Sequence, residues 1–195
     1  MGVVIGPFSL DRVVNAVERV RQRLLRAVRA LESDGVPYAV AGGNAVALSV
    51  SRVDSAAVRN TQDVNILIRR EDLGRAKAAL ERAGFIYRHV AGLDVFLEAP
   101  DASARDAVHI VFANEMVRAH EVAANPDVGE SERGEEYQVL SLDALARVKL
   151  TAFSDKDRVH LRDLIGVGLL DSTWIGRLPP DLARRLQELL DTPQG

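Results

Sequence analysis

The chain has 195 residues, of which 47% are hydrophobic and 27% charged, with a formal net charge of −3. That balance suits a globular α/β protein that can bury a sizeable core without covalent staples. No cysteine is present, which excludes disulfides and thiolate metal sites. No apolar run approaches membrane-spanning length, and Met1-Gly-Val-Val-Ile-Gly is short and lacks a basic flank, so the expectation is a cytoplasmic protein with no membrane contact. The acidic total gives no overall nucleic-acid footprint. Charge is nevertheless uneven: Arg12, Arg19, Arg21, Arg23, Arg26 and Arg29 make the first helix basic, read here as a solvated face, and Glu121 to Glu136 is mostly acidic.

Residues 9–33 are predicted to form a long helix, because Val13, Val14, Val17, Val20, Leu24, Val28 and Leu31 recur at helical spacing. Asp34-Gly35 ends it, and Pro37 bars continuation. Val36 to Ala41 reads as a short buried strand. Gly42-Gly43 is a turn, and Asn44 is a candidate cap for a helix through Val50. Residues 51–60 read as a polar loop. Gln62 to Ile68 is a strand whose apolar Val64, Ile66 and Ile68 alternate with Asp63, Asn65 and Leu67. A helix over Arg69 to Ala83 is closed by Gly84. Phe85 to Arg88, Leu93 to Glu98 and Ala107 to Phe112 read as further strands. Pro126 to Glu136 is a loop, and Gln138 to Leu140 a short strand. From Ser141 onward the pattern is helical, in four stretches: through Phe153, from Asp155 to Ile165, from Leu169 to Leu178, and from Pro180 to Leu190. This layout divides into an N-terminal helix (1–35), an α/β core (36–140) and a C-terminal helical region (141–195).

Two local features bear on chemistry. A strand, Gly-Gly, then a helix lets a phosphate approach the backbone at a helix N-terminus, although a Gly-Gly pair is also an ordinary tight turn. Asp63 and Asn65 lie two apart on a strand, so their side chains leave the same face. Two carboxylates so placed could share Mg²⁺ with a triphosphate, but the second group here is an amide, which offers an oxygen and no charge. Polar strand-end residues facing solvent are the plainer alternative. Among the 25 basic residues only Lys77, Lys149 and Lys156 are lysines. Lys149 and Lys156 are candidate phosphate contacts; a solvated charge ladder explains Asp157, His160 and Asp163 equally well. Arg59 is placed either on phosphate or on Asp63. His89 and His120 read as isolated surface or packing residues, and Trp174 as core.

Together these stretches resemble the nucleotidyltransferase (polymerase-β-like) superfamily, and more narrowly AbiEii-like bacterial nucleotidyltransferases, a group that includes type IV toxins. The carrying segments are Val40-Ala41-Gly42-Gly43-Asn44-Ala45-Val46, Arg59 to Leu67, and Leu142 to Leu164, the last with Lys149-Leu150-Thr151-Ala152 and Asp155-Lys156-Asp157-Arg158. The resemblance implies a mixed sheet with helices and a helical cap, with Val36–Ala41, Gln62–Ile68 and Ala107–Phe112 adjacent at its centre. It implies transfer of a nucleoside monophosphate from a nucleoside triphosphate to a hydroxyl, on RNA or protein among the acceptors, and an antitoxin as partner. Gly42, Gly43, Asn44, Arg59, Lys149, Lys156 and Asp157 would serve the nucleotide. Asp63 and Asn65 would hold Mg²⁺ or Mn²⁺, weakly unless nucleotide brings it. Three departures from the family pattern stand out. Asn65 replaces the second carboxylate, His109 stands where a third is expected, and His160 replaces a common aspartate. His109 is then the candidate base, with Asp94 or Asp106 as substitutes for the missing carboxylate. The alternative is a weak or inactive nucleotidyltransferase fold that binds nucleotide or a protein partner. Lys149→Ala is expected to weaken triphosphate binding with little loss of stability.

Overall fold

The computed structural model describes residues 10–118 and 121–192; the readings at Met1 to Gly6 and at His120 lie outside the described residues. Helix α1 covers Leu10–Ser33. Its later turns bury Leu24, Ala27, Val28 and Leu31. The earlier part of the stripe does not reach the core, since Val14 and Val17 remain 60% and 38% exposed. Gly35, at φ +60°, turns the chain out of the helix, a conformation glycine adopts without steric cost.

Strand β1 is shorter than its apolar run, Ala39–Ala41. It leads directly into α2 (Gly42–Ser51). Strand β2 (Val64–Ile68) is followed by a 3₁₀ turn at Arg70–Asp72 and α3 (Leu73–Arg82). Strands β3 (Ile86–Val90), β4 (Leu93–Leu97) and β5 (Val108–Phe112) follow. Strand β6 (Ser131–Arg133) falls inside the segment predicted as loop, and β7 is Gln138–Leu140. The described residues form one seven-stranded sheet in the order β3-β4-β5-β2-β1-β7-β6. β2 runs parallel to β5 and antiparallel to β1, and β1 runs parallel to β7, so the sheet is mixed. The expected trio β1, β2 and β5 is adjacent at its centre.

Side-chain alternation divides the sheet into two faces. On one, Tyr87 carries the Lys77 ammonium of α3 4.2 Å from its ring centroid, and α1 packs against α3. On the other, Asn65, Leu67 and Val111 face α4 (Leu142–Ala152) and α5 (Asp155–Gly166) across a cleft. Asn65 stands directly opposite His109, and Val95 opposite His109 in turn, so His109 belongs to the cleft face. Asp94 pairs with Ile110 and therefore points to the other face.

Ser141 caps α4 by accepting from the Ala144 N–H. Ser154 and Asp157 form a reciprocal capping box at the start of α5. Between α5 and α6 (Pro180–Asp191), the predicted helix Leu169 to Leu178 is replaced by a 3₁₀ segment, Ser172–Arg177. Gly168 at φ +76° breaks the helix before it, and Pro179-Pro180 forces extended backbone after it. Trp174 is buried there, as read from the sequence. Beside a smaller apolar cluster of Val95, Leu97 and Ala107, the main one extends from Leu24 of α1 through Ile66 and Leu67 of β2 to Leu189 of α6. Truncating any of these fully buried aliphatic residues to alanine should cost about 2–5 kcal/mol. No described helix is long and apolar enough to cross a membrane.

Candidate active site

Asp63 sits one residue before β2, at the centre of the cleft. Its backbone is fixed from several sides. Asn44 of α2 donates its side-chain amide to the Asp63 carbonyl at 2.8 Å. Arg23 of α1 donates to the Gln62 carbonyl at 3.1 Å and to Glu98 at 2.8 Å. Two sequence expectations change here. Asn44 is not a helix cap, because α2 already starts at Gly42 behind Ala41 and has no side-chain cap. Arg23 is not on a solvated face: it is 5% exposed and ties α1 to the Asp63 segment.

The Asp63 carboxylate receives three donors. Thr61 Oγ1 donates at 2.6 Å and Lys156 Nζ at 2.9 Å to Oδ1, and Asn65 Nδ2 donates at 3.0 Å to Oδ2. Burial opposes ionisation of Asp63, but these donors outweigh it and hold the carboxyl far below the usual carboxylate range. Thr61 carries no assigned role in the sequence reading. Its signal was there, a hydroxyl two residues before Asp63 and therefore on the same side of an extended chain.

Gly42 and Gly43 have a packing reason distinct from phosphate. Gly42 has φ +65°, and a Cβ there would lie 2.6 Å from Asn65 Nδ2. A Cβ on Gly43 would lie 2.8 Å from both Cβ and Oγ1 of Thr61. The two glycines thus let the start of α2 press against the residues that hold Asp63. Gly42, Gly43, Asp63, Asn65, Lys149 and Lys156 all line one cavity of about 430 Å³, within the usual size range of small-molecule sites.

The two lysines differ. Lys149 is buried, and its ammonium donates to Asp157 Oδ1 at 2.7 Å. Burial raises the Asp157 carboxyl, but the Lys149 charge and the Ser154 donors prevail and keep it below its ordinary range. Lys149 is therefore part of the packed frame, which contradicts the expectation that Lys149→Ala would spare stability. Lys156 is exposed on the cleft, and among the described residues its one ion-pair partner is Asp63. The corner that presents both lysines is held by Phe153, which adopts a left-handed φ of +48°. Arg158 and Arg185 stack on its ring at 4.1 and 5.2 Å. Arg185 of α6 also donates to the Leu150 and Thr151 carbonyls, each at 2.6 Å, closing the end of α4.

Arg59 pairs with Asp163 at 2.7 Å rather than with Asp63, and it lies outside the cavity lining. His109 Nε2 lies 2.8 Å from the Ala104 carbonyl. A carbonyl only accepts, so Nε2 carries a proton, and in the neutral imidazole the lone pair is on Nδ1. Asp94 and Asp106 do not replace a third carboxylate. Asp94 accepts from Tyr87 at 2.6 Å and contacts His89 Nδ1 at 2.9 Å on the opposite face. Asp106 is exposed at the end of a 3₁₀ turn before β5 and lines neither cleft cavity. His160 is buried against Lys149 and Lys156. Its desolvation, helped by the two ammonium groups, pulls the imidazole down to about 4, so it is neutral at pH 7. The charge-ladder reading of α5 therefore fails at Asp157 and His160, which face inward.

Nucleotidyltransferases as a class use divalent metal ions. Among the described residues no three His, Cys, Asp or Glu side chains converge on a point that could hold a metal. Of the carboxylates that line the cavity, Asp157 is paired with Lys149, Glu121 accepts from the Val117 and Arg118 N–H groups, and Asp63 is already shared among Thr61, Asn65 and the Lys156 ammonium. This donor set does not fit a preformed Mg²⁺ site, which requires near-octahedral oxygen ligation.

A mixed sheet with Gly-Gly at a helix start, an aspartate at the entry to the neighbouring strand and a helical segment closing the cleft defines a nucleotidyltransferase-type fold. The chain belongs to the family described as "Uncharacterised nucleotidyltransferase", whose profile matches residues 9–149. Among solved structures, it is similar to an antigenic nucleotidyltransferase-like protein from Paracoccidioides brasiliensis, with TM-score 0.54, 16% identity, and 90% of this chain and 89% of that one covered. It is also similar to the antibiotic-resistance factor ANT(2'')-Ia, with TM-score 0.52, 14% identity, and 93% and 92% covered. At such identities the likeness is one of fold. No curated protein matches the sequence significantly.

Proposed function

We propose that the Gly42–Gly43 cavity binds a nucleoside triphosphate and that the protein transfers its nucleoside monophosphate to a hydroxyl-bearing acceptor. The observation that carries this reading is the lining of one cavity by the α2 N-terminus, Asp63 and the two lysines. Free N–H groups and the positive end of α2 favour phosphate at Gly42 and Gly43. Lys156 is the cation that meets it. Its pair with Asp63 is exposed, and such pairs are worth only about 0–1 kcal/mol, so phosphate can compete for the ammonium. Lys149 stays with Asp157 and gives the wall its rigidity. In the transfer, the acceptor oxygen bonds to the α-phosphorus as the bond to the pyrophosphate oxygen breaks. Pyrophosphate leaves with that electron pair, and the hydroxyl proton passes to His109 Nδ1.

A second reading has its own support. Lys156 and Asn65 both occupy Asp63, and no carboxylate stands at position 109, which favours a fold that binds nucleotide, or a protein partner, without transferring it. An AbiEii-like toxin role, with an RNA or protein acceptor, an antitoxin partner and a cytoplasmic site of action, is the narrower form of the first reading. It rests on the three sequence segments alone. Calorimetric titration with each nucleoside triphosphate, with and without Mg²⁺ or Mn²⁺, tests the common element. Saturable binding supports both readings, and release of pyrophosphate separates them. No binding by any triphosphate refutes the first reading and the nucleotide-binding form of the second.

A further inference from the structure

We infer that a second cavity, on the far side of the Lys156–Asp63 pair, is the acceptor subsite, and that it takes a phosphorylated sugar rather than a cationic one. This rests on the nucleotide reading of the Gly42 cavity. The second cavity has a volume of about 570 Å³ and is lined by Gln62, Arg105, His109 and His160 together with the pair itself. Asp63 and Lys156 line both cavities, so they form the partition between them. An in-line displacement needs that arrangement. Nucleophile and leaving group lie on opposite sides of the phosphorus, so acceptor and triphosphate must occupy separate spaces that meet at the reacting atom. His109 faces the second cavity, where an acceptor hydroxyl would stand.

The lining decides the charge of the occupant. Among the described residues Asp63 is the only carboxylate on that wall, and its charge is already met by Lys156. An amino sugar would find no free anion there. Arg105 is exposed and has no ion-pair partner among the described residues. A guanidinium binds phosphate through two parallel N–H donors, a geometry a lysine does not offer. His160 lines the same wall as a neutral imidazole, so it offers an arriving sugar no anion either. Asn60, Thr61 and Gln62 add neutral polar groups suited to sugar hydroxyls.

The test uses three sugars of one ring size that differ in charge: glucose 6-phosphate, glucose and glucosamine. Each is titrated into the protein saturated with a non-hydrolysable triphosphate, so that the first cavity is filled. The expected order is glucose 6-phosphate tightest, by roughly tenfold over glucose, the size of one charge-assisted contact. Arg105→Gln should remove that tenfold preference, and its triphosphate affinity is measured in parallel. Glucosamine binding as well as glucose 6-phosphate, no sugar binding, or an undiminished preference in Arg105→Gln would each overturn the subsite while leaving the nucleotide reading intact. Failure of the parent protein to bind triphosphate would instead overturn the nucleotide reading on which it rests.

Discussion

Removing the Lys149 ammonium should unfold much of what the site is built on. In Lys149→Met the side-chain volume is nearly kept, but Asp157 loses its cation. Both side chains are buried, 8% and 13% exposed, and they are 2.7 Å apart, so no solvent replaces the missing charge. Breaking a buried pair from one side costs about 3–5 kcal/mol, because the remaining charge is left uncompensated. Total stability of a domain this size is about 5–15 kcal/mol, so the loss is a large fraction of it. Urea unfolding at pH 7 would measure it as a fall in midpoint with little change of slope. The pH dependence adds a signature. Asp157 is held below its ordinary value of 3.8 in the folded parent. Its contribution is therefore fully present above that value and is lost as pH falls through the folded pKa. Without Lys149 the folded carboxyl titrates higher than in the parent, so the deficit of the variant should shrink as pH falls into the acid range where that carboxyl is protonated. A loss under about 1 kcal/mol at pH 7, or a deficit independent of pH, would show that the pair is solvated and that Lys149 is not part of the frame.

Lys156→Met should do the opposite: a stability change within about 1 kcal/mol by urea unfolding, with triphosphate affinity falling roughly tenfold or more by calorimetry. Asn65→Asp should strengthen Mg²⁺-dependent triphosphate binding by about 1–3 kcal/mol, and an unchanged affinity in a folded variant would remove position 65 from any metal contact. Gly42→Ala should destabilise by more than Gly84→Ala. Both positions have positive φ, but only a Cβ at Gly42 meets a neighbour, Asn65 Nδ2 at 2.6 Å, while Gly84 faces open space; equal losses in thermal unfolding would refute the close approach. His160, pulled down to about 4, binds fewer protons folded than unfolded between that value and 6.5, so it should subtract stability as pH falls through that window. His160→Phe should flatten that part of the stability profile, and an imidazole resonance assigned to His160 by its absence in that variant, titrating near 6.5 in the parent, would contradict the burial argument.

Much of this molecule follows from local sequence alone. The period-3.6 apolar pattern sets α1, and helical stretches are legible at α3, α4, α5 and α6 though not at the 3₁₀ segment Ser172–Arg177; the alternation in Val64 to Ile68 sets β2 and puts Asn65 on the face away from Ile66. The parity of Asn65 and of Asp63 two residues earlier needs no tertiary information. β6 was invisible, because Ser131-Glu132-Arg133 has no strand pattern of its own and exists only through backbone pairing with β7. Local spacing makes Asn44 a helix cap; the path of β2 past α2 turns it into a donor to the Asp63 carbonyl. Lys149 and Lys156 look alike as letters. What separates them is that α4 lies against the sheet while α5 begins at the cleft edge, which buries one ammonium with Asp157 and leaves the other at Asp63. The sequence by itself determined which residues carry charge and which face of an element each one leaves. Only the tertiary structure decided which charges meet, because ion pairs such as Lys156–Asp63 and Arg59–Asp163 join residues far apart in the chain, and their distance is set by helix packing rather than by any local preference.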